Sequence, residues 1–266
     1  MAVGSLSGCQ KAATSENLFR DIEVNMTSVE SAEENQIVKL QIGDGDSVIS
    51  QESNLDIEMT RDPAAVHRKG QQKTNMAGTK ETQEMESYQV EEDGKTVIYS
   101  GTDEAWEKNA VEEKETSSQQ TVLFDGLQNL SGAFSVSQDL ATVNKEECFE
   151  LTGMISGTQF QETFADTLKA LLGEDSSDLS GWNLQASENE ENNEELQQKL
   201  NNIKVYCVID IYRSNILPAK ITFDLTDYLK AAGEENAQVT SYTLEVTFVS
   251  YNDTKKIKVP KAVKES

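Results

Sequence analysis

Hydrophobic and polar positions along the chain follow two rhythms, and the points where one gives way to the other predict its elements. Leu18, Ile22, Met26 and Val29 recur at helical spacing with Phe19 beside them, so an amphipathic helix capped by Ser15 runs to about Ser28. After an acidic break at Glu33-Glu34 the period becomes two: Val38, Leu40 and Ile42 share one face, Lys39 and Gln41 the other. Gly43-Asp44-Gly45-Asp46 reads as a turn, and lacks the regular ligand positions and closing glutamate of a calcium loop. Alternation returns as Leu55, Ile57 and Met59 against Asp56, Glu58 and Thr60, which predicts a half-buried antiparallel strand. Asp62-Pro63 interrupts it, and residues 66–72 come back as a polar neighbour. Residues 85–90 and 96–100 flank Asp93-Gly94, a strong hairpin signal, and Trp106 falls on a short following strand. The first half therefore reads as a meander of consecutive antiparallel strands.

In the second half the helical period returns over residues 117–134, with Leu123, Leu127, Leu130 and Phe134 on one stripe. Phe149, Leu151 and Ile155 then alternate with Glu150 and Thr152 in a strand. Thr158 with Gln161 three residues on has the form of a capping box, opening a helix that Gly173 ends. Its face is Phe160, Phe164, Leu168, Leu171 and Leu172, with Ala165 allowing close approach; the stripe suits an ordinary core or the floor of a lipid cavity. Residues 174–202 turn acidic, either a flexible insertion or a solvated helix ending near Leu200. Trp182 stands out there, and folding back over apolar surface as a lid would give it a role. Residues 203–213 are apolar on both faces, as a covered central strand requires. Ile221, Phe223 and Leu225 share a face of the next strand, a helical turn follows around Tyr228, and Tyr242, Leu244, Val246 and Phe248 alternate in the last long one. A turn at Asn252-Asp253 leads to Ile257 and Val259. The strands suffice for one large curved sheet in an α+β fold.

Composition narrows what such a sheet can meet. Of 266 residues 47 are acidic and 23 basic, for a formal net charge of -24, which repels nucleic-acid phosphates and anionic headgroups alike. Hydrophobic content of 36% is low for a thick core and suits a sheet with one wet face. No stretch approaches the ~18 apolar residues of a membrane span. Cys148 and Cys207 fall in predicted strands, as a disulfide pair or as small buried hydrophobes.

The third cysteine closes the run Leu6-Ser7-Gly8-Cys9, which reads as the modification point of a bacterial lipoprotein. A small residue before the cysteine lets the peptidase approach, and the thiol accepts a diacylglycerol before becoming the new N-terminus. The residues before it form only a stub of a secretory signal, which needs roughly 7–15 apolar residues, so residues 1–8 are expected to be the end of a longer signal peptide. Residues 9–14 then form a lipidated tether and residues 15–266 the domain, anchored outside the cytoplasmic membrane through Cys9.

The helix from Ser15, Asp56-Ile57-Glu58-Met59-Thr60, Asp62-Pro63, His67-Arg68-Lys69-Gly70 and above all Glu86-Ser87-Tyr88-Gln89-Val90-Glu91-Glu92-Asp93-Gly94-Lys95 before Val97-Ile98-Tyr99-Ser100 resemble an uncharacterised family of Gram-positive lipoproteins. That family is similar in build to LolA/LppX-type carriers. The resemblance spans nearly the whole chain, to Ile257-Lys258-Val259-Pro260, and implies a LolA-like half-barrel: a strongly curved antiparallel sheet with helices on its concave face. It brings no ligand-binding residues with it, and function follows from architecture only by analogy.

Catalysis finds no constellation. His67 is the lone histidine, expected on an edge-like strand, and no nucleophile motif, phosphate loop, cofactor site or metal-ligand spacing accompanies it. Two non-catalytic expectations remain. One is a carrier of a lipid or other apolar small molecule, lined by Leu40, Leu55, Ile57, Met59, Phe149, Leu151, Tyr242, Leu244, Val246 and Phe248, residues that equally suit a dry core. The other is a cell-surface module that binds a protein or wall polymer through its outer face and has no cavity.

Overall fold

In the computed structural model, residues 13–43, 48–102, 105–111, 126–172, 190–232 and 239–265 are described. The signal, the tether through residue 12 with Cys9, the Gly-Asp turn from Asp44, residues 117–125 of the helix expected over 117–134, and Trp182 lie outside them. Chain order gives α1 (Ser15–Met26), β1 (Ser31–Ile42), β2 (Ile49–Arg61), β3 (Ala64–Met76), β4 (Thr79–Glu92), β5 (Lys95–Thr102) and β6 (Ala105–Val111). A 3-10 helix (Leu127–Ala133) leads into β7 (Phe134–Val136), β8 (Ala141–Val143), β9 (Glu146–Ser156), α2 (Gly157–Leu172) and α3 (Glu190–Asn202). The chain continues through β10 (Lys204–Tyr212), β11 (Pro218–Asp224), α4 (Thr226–Ala232), β12 (Val239–Tyr251) and α5 (Lys261–Lys264).

All the described strands join one open antiparallel sheet in the order β6-β5-β4-β3-β2-β1-β12-β11-β10-β9-β7, with β8 on β9. The meander of the first half is continuous, and β12 returns to pair with β1 and join the halves. Tight turns set the register. Asp93 and Gly94 both take positive φ, 53° and 76°, as a two-residue hairpin turn requires. Ala77 and Gly78 do the same at 50° and 83° between β3 and β4. Gly70 permits a close approach: a Cβ there would lie 2.0 Å from the Asn54 carbonyl oxygen.

The sheet is curved, and its helices lie on the concave face. They stack on β7, β9, β10 and β12 rather than on the meander. Leu18, Phe19, Ile22 and Met26 of α1, Phe160 and Phe164 of α2, and Tyr228 and Leu229 of α4 share one buried cluster with Leu151, Cys207, Ile209, Phe223, Leu244 and Val246. Aromatic edges fasten it: Phe19 meets Phe134 at 5.1 Å between ring centroids, and Phe160 meets Tyr228 at 4.9 Å. On the convex face the C-terminal segment covers β3 to β5. Ile257 and Val263 pack against Ala65, Tyr88, Val97 and Tyr99, and Lys264 pairs with Glu92.

Several local expectations need correction. Thr14, not Ser15, caps α1, its Oγ1 accepting from Asn17 N at 3.3 Å; Ser15 instead donates to the Ser131 carbonyl. The box that opens α2 is Ser156 with Gln159, whose side chains reciprocally accept each other's backbone N–H at 3.2 and 3.0 Å. Leu127 and Leu130 lie in a 3-10 helix, and Phe134 already begins a strand. Part of the acidic segment is helix α3, which buries Leu200 against the core rather than standing free in solvent. Residues 203–213 are covered on both faces only toward the C-terminal end, where Asp210 and Tyr212 are buried on the convex side, while Tyr206 on that side is 44% exposed. His67 sits on an interior strand, because β4 extends much further than its apolar stretch. Glu33 and Glu34 lie inside β1 rather than before it.

Candidate functional site

Ladder register fixes which residues share the concave face. Val38, Leu40 and Ile42 of β1 pack against the helix-covered cluster, and Glu34 and Gln36 are in phase with them. One row across the sheet reads Phe248, Glu34, Ile57, Arg68, and the next reads Val246, Gln36, Leu55, Gly70. A third carries Ala32, Met59, Val66 and Gln89.

The ten residues expected to line a groove are divided by these rows. Leu40, Leu151, Tyr242, Leu244, Val246 and Phe248 are all buried in the helix-covered cluster, with Phe149 packed at its margin beside Arg213. Ile57 and Met59 form a second, smaller cluster with Val66, and Leu55 packs against it. Between the two groups runs a polar seam made by Glu34 and Gln36, which are 2% and 1% exposed. Sequence reading missed both because carboxylate and amide side chains on a core-facing phase resemble a loop. Their shared parity with Val38 and Leu40 was the available signal.

Electrostatics at the seam follow from burial. Neither oxygen of Glu34 accepts a hydrogen bond among the described residues. Burial pushes its carboxyl up to about 7, with the Arg68 guanidinium pulling the other way. Burial likewise lowers the pKa of Arg68 while Glu34 opposes the shift. Arg68 Nη1 donates to Gln89 Oε1 at 3.4 Å, which draws the guanidinium toward the third row.

His67 does not belong to this face. On the convex side its Nδ1 lies 3.1 Å from Glu58 Oε2, its Nε2 2.9 Å from Glu86 Oε1, and its ring stacks on Tyr88 at 4.3 Å. Carboxylates on both nitrogens make it a structural cross-link between β2, β3 and β4 rather than a base facing a substrate. Among the described residues no group of three or more His, Cys, Asp or Glu is arranged to hold a metal ion. Nor, among those residues, is any helix long and apolar enough to cross a membrane.

Residues 14–266 match the model of a family of unknown function, DUF6612. The chain belongs to that family. No curated protein matches it in sequence. Among solved structures it is similar to LprF from Mycobacterium bovis, at 11% identity and a TM-score of 0.50 over 92% of this chain and 96% of that one. It is also similar to the lipoprotein LppX from Mycobacterium tuberculosis, with 11% identity, a TM-score of 0.48 and coverage of 92% and 98%. A LolA superfamily protein from Nitrosomonas europaea matches at 9% identity and a TM-score of 0.25, covering 95% and 97%. The LprF comparison supports the fold: an open, curved antiparallel sheet of LolA/LppX type.

Proposed function

We propose that this protein binds a lipid or other apolar small molecule on the concave face of its sheet, without catalysis, outside the cytoplasmic membrane. A lipid on Cys9 holds it there, and Trp182 serves as a lid. The observation that carries the reading is an open sheet whose concave face is apolar in both halves, broken only by the Glu34–Gln36 seam between them among the described residues. From Val66 on β3 to Leu151 on β9 the face crosses six inter-strand steps, roughly 29 Å along the curve, long enough for an acyl chain. Each methylene buried there contributes about 0.8 kcal/mol. The groove is lined by Leu55, Ile57 and Met59 on the meander side and by Leu40, Phe149, Leu151, Tyr242, Leu244, Val246 and Phe248 under the helices. Resemblance to LolA/LppX-type carriers supports the same reading by analogy.

Titrating the full chain with a fluorescent neutral acylglycerol tests it. Saturable uptake is expected, and Ile57→Trp, which fills the smaller cluster, should suppress it while far-UV circular dichroism is retained. Absence of saturable uptake by the unaltered protein would refute the reading. Anchoring is tested separately by Cys9→Ala in the full-length precursor, which should appear in the medium rather than in membranes.

A further inference from the structure

The concave face holds one group that a dry apolar floor has no use for. Glu34 occupies a core-facing position between Phe248 and Ile57, where a leucine would continue both clusters, and only 2% of it reaches solvent. Its two oxygens accept no hydrogen bond among the described residues. Arg68 lies two strands away in the same row and is drawn toward Gln89, so Glu34 is charge-balanced at a distance without being capped. Gln36, on the same strand and face, is a further buried polar side chain beside it, and Gln89, at 7% exposed, extends the polar group beyond Arg68, three strands from Glu34. A buried acceptor left without donors is costly, and a ligand that brings a donor removes that cost.

We infer that Glu34 receives the hydrogen-bond-donating head of an amphiphile whose chain lies along the apolar floor, with Gln36, Arg68 and Gln89 forming the rest of the polar recess. This rests on the binding function proposed above and adds the chemical class of the ligand: a head bearing hydroxyl or ammonium donors rather than a bare carboxylate. Above about pH 7, where Glu34 is ionised, an ionised fatty acid has no donor to offer and sets a like charge against it. A methyl ester has neither donor nor charge, and the hydroxyls of a glycerol head or the protons of an amine satisfy the acceptor.

The test compares four ligands of one chain length on the full chain at a pH above about 7, where Glu34 is ionised: a monoacylglycerol, a primary alkylamine, a fatty acid and its methyl ester, by displacement of the acylglycerol probe. The monoacylglycerol or the amine, or both, should bind tighter than the ester and the acid by about tenfold or more, and which of the two leads identifies the source of the donor. In Glu34→Gln, where the charge is gone and one acceptor remains, the gap between monoacylglycerol and fatty acid should close by a similar factor. Equal affinities for all four ligands, tightest binding of the fatty acid, or an unchanged gap in Glu34→Gln would each overturn the assignment while leaving the binding function standing. Failure of all four to bind would remove the function itself. The ranking in the unaltered protein does not depend on whether the variant folds.

Discussion

Phe160 of α2 and Phe223 of β11 meet edge to face, their ring centroids 5.4 Å apart and their planes at 71°. Phe164 touches the same ring one helical turn later, at 5.0 Å. The contact pins α2 to the sheet, and with it the helical cover over half of the concave face.

Removing the pin should be expensive. Phe160 is fully buried, and truncating it leaves a cavity beneath three aromatic neighbours, so Phe160→Ala is expected to cost about 3–5 kcal/mol. Urea unfolding monitored by tyrosine and tryptophan fluorescence reads this directly. A loss under about 1 kcal/mol would mean that the helix is not held by this contact.

Glu34 gives stability a signature in pH. Its carboxyl is pushed from an ordinary 4.5 up to about 7 by burial, with Arg68 opposing. A folded value above the unfolded one means that the folded protein holds the extra proton between those limits. Stability is therefore lost as pH rises from about 4.5 through about 7. Glu34→Gln cannot ionise and escapes this loss. Relative to the variant, the unaltered protein should lose on the order of 3 kcal/mol across that window, measured by denaturant midpoints at a series of pH values. Parallel curves for the two proteins would contradict the assignment.

The C-terminal segment is held by burial more than by charge. Ile257 packs on Tyr88 and Tyr99, so Ile257→Ala should cost about 2 kcal/mol or more. Lys264 pairs with Glu92 from a position 44% exposed, and Lys264→Ala should cost no more than about 1 kcal/mol. Hydrogen exchange over β4 and β5 in the two variants checks the order, and a larger effect from Lys264→Ala would reverse it.

Cys148 and Cys207 are both free and buried, on opposite faces of the sheet, since one packs with Val143 and Tyr212 and the other with the helix-covered cluster. Burial raises both thiol pKa values. Neither should react with a thiol reagent in the native protein, and both should react at once in denaturant. Intact mass after alkylation decides it, and a mass showing the two joined would contradict the structure.

Much of the fold was legible because strict alternation of apolar and polar side chains fits a half-buried strand and little else. Leu55, Ile57 and Met59 gave one strand its inward face, and Asp93-Gly94 fixed a register. The long β3 and β4 were cut short in the reading, because their distal halves, from Lys69 to Met76 and Thr79 to Met85, are polar on both faces and carry no apolar signal. Their turn at Ala77-Gly78 was also hidden, since alanine takes positive φ only rarely. At the candidate site the apolar residues were readable, and their division into two clusters was not. That division depends on Glu34 and Gln36, and a polar side chain acquires a position inside a core only from the strands that flank it.

Native mass spectrometry of the protein purified from its host's secretory pathway, with organic extraction of whatever it carries, reads out a bound lipid without any added probe. A discrete added mass that extracts as a lipid is the predicted result. A clean apo mass, unchanged after incubation with host lipids, would contradict it and turn attention to the convex face, where Tyr206 and Met154 stand exposed opposite one another.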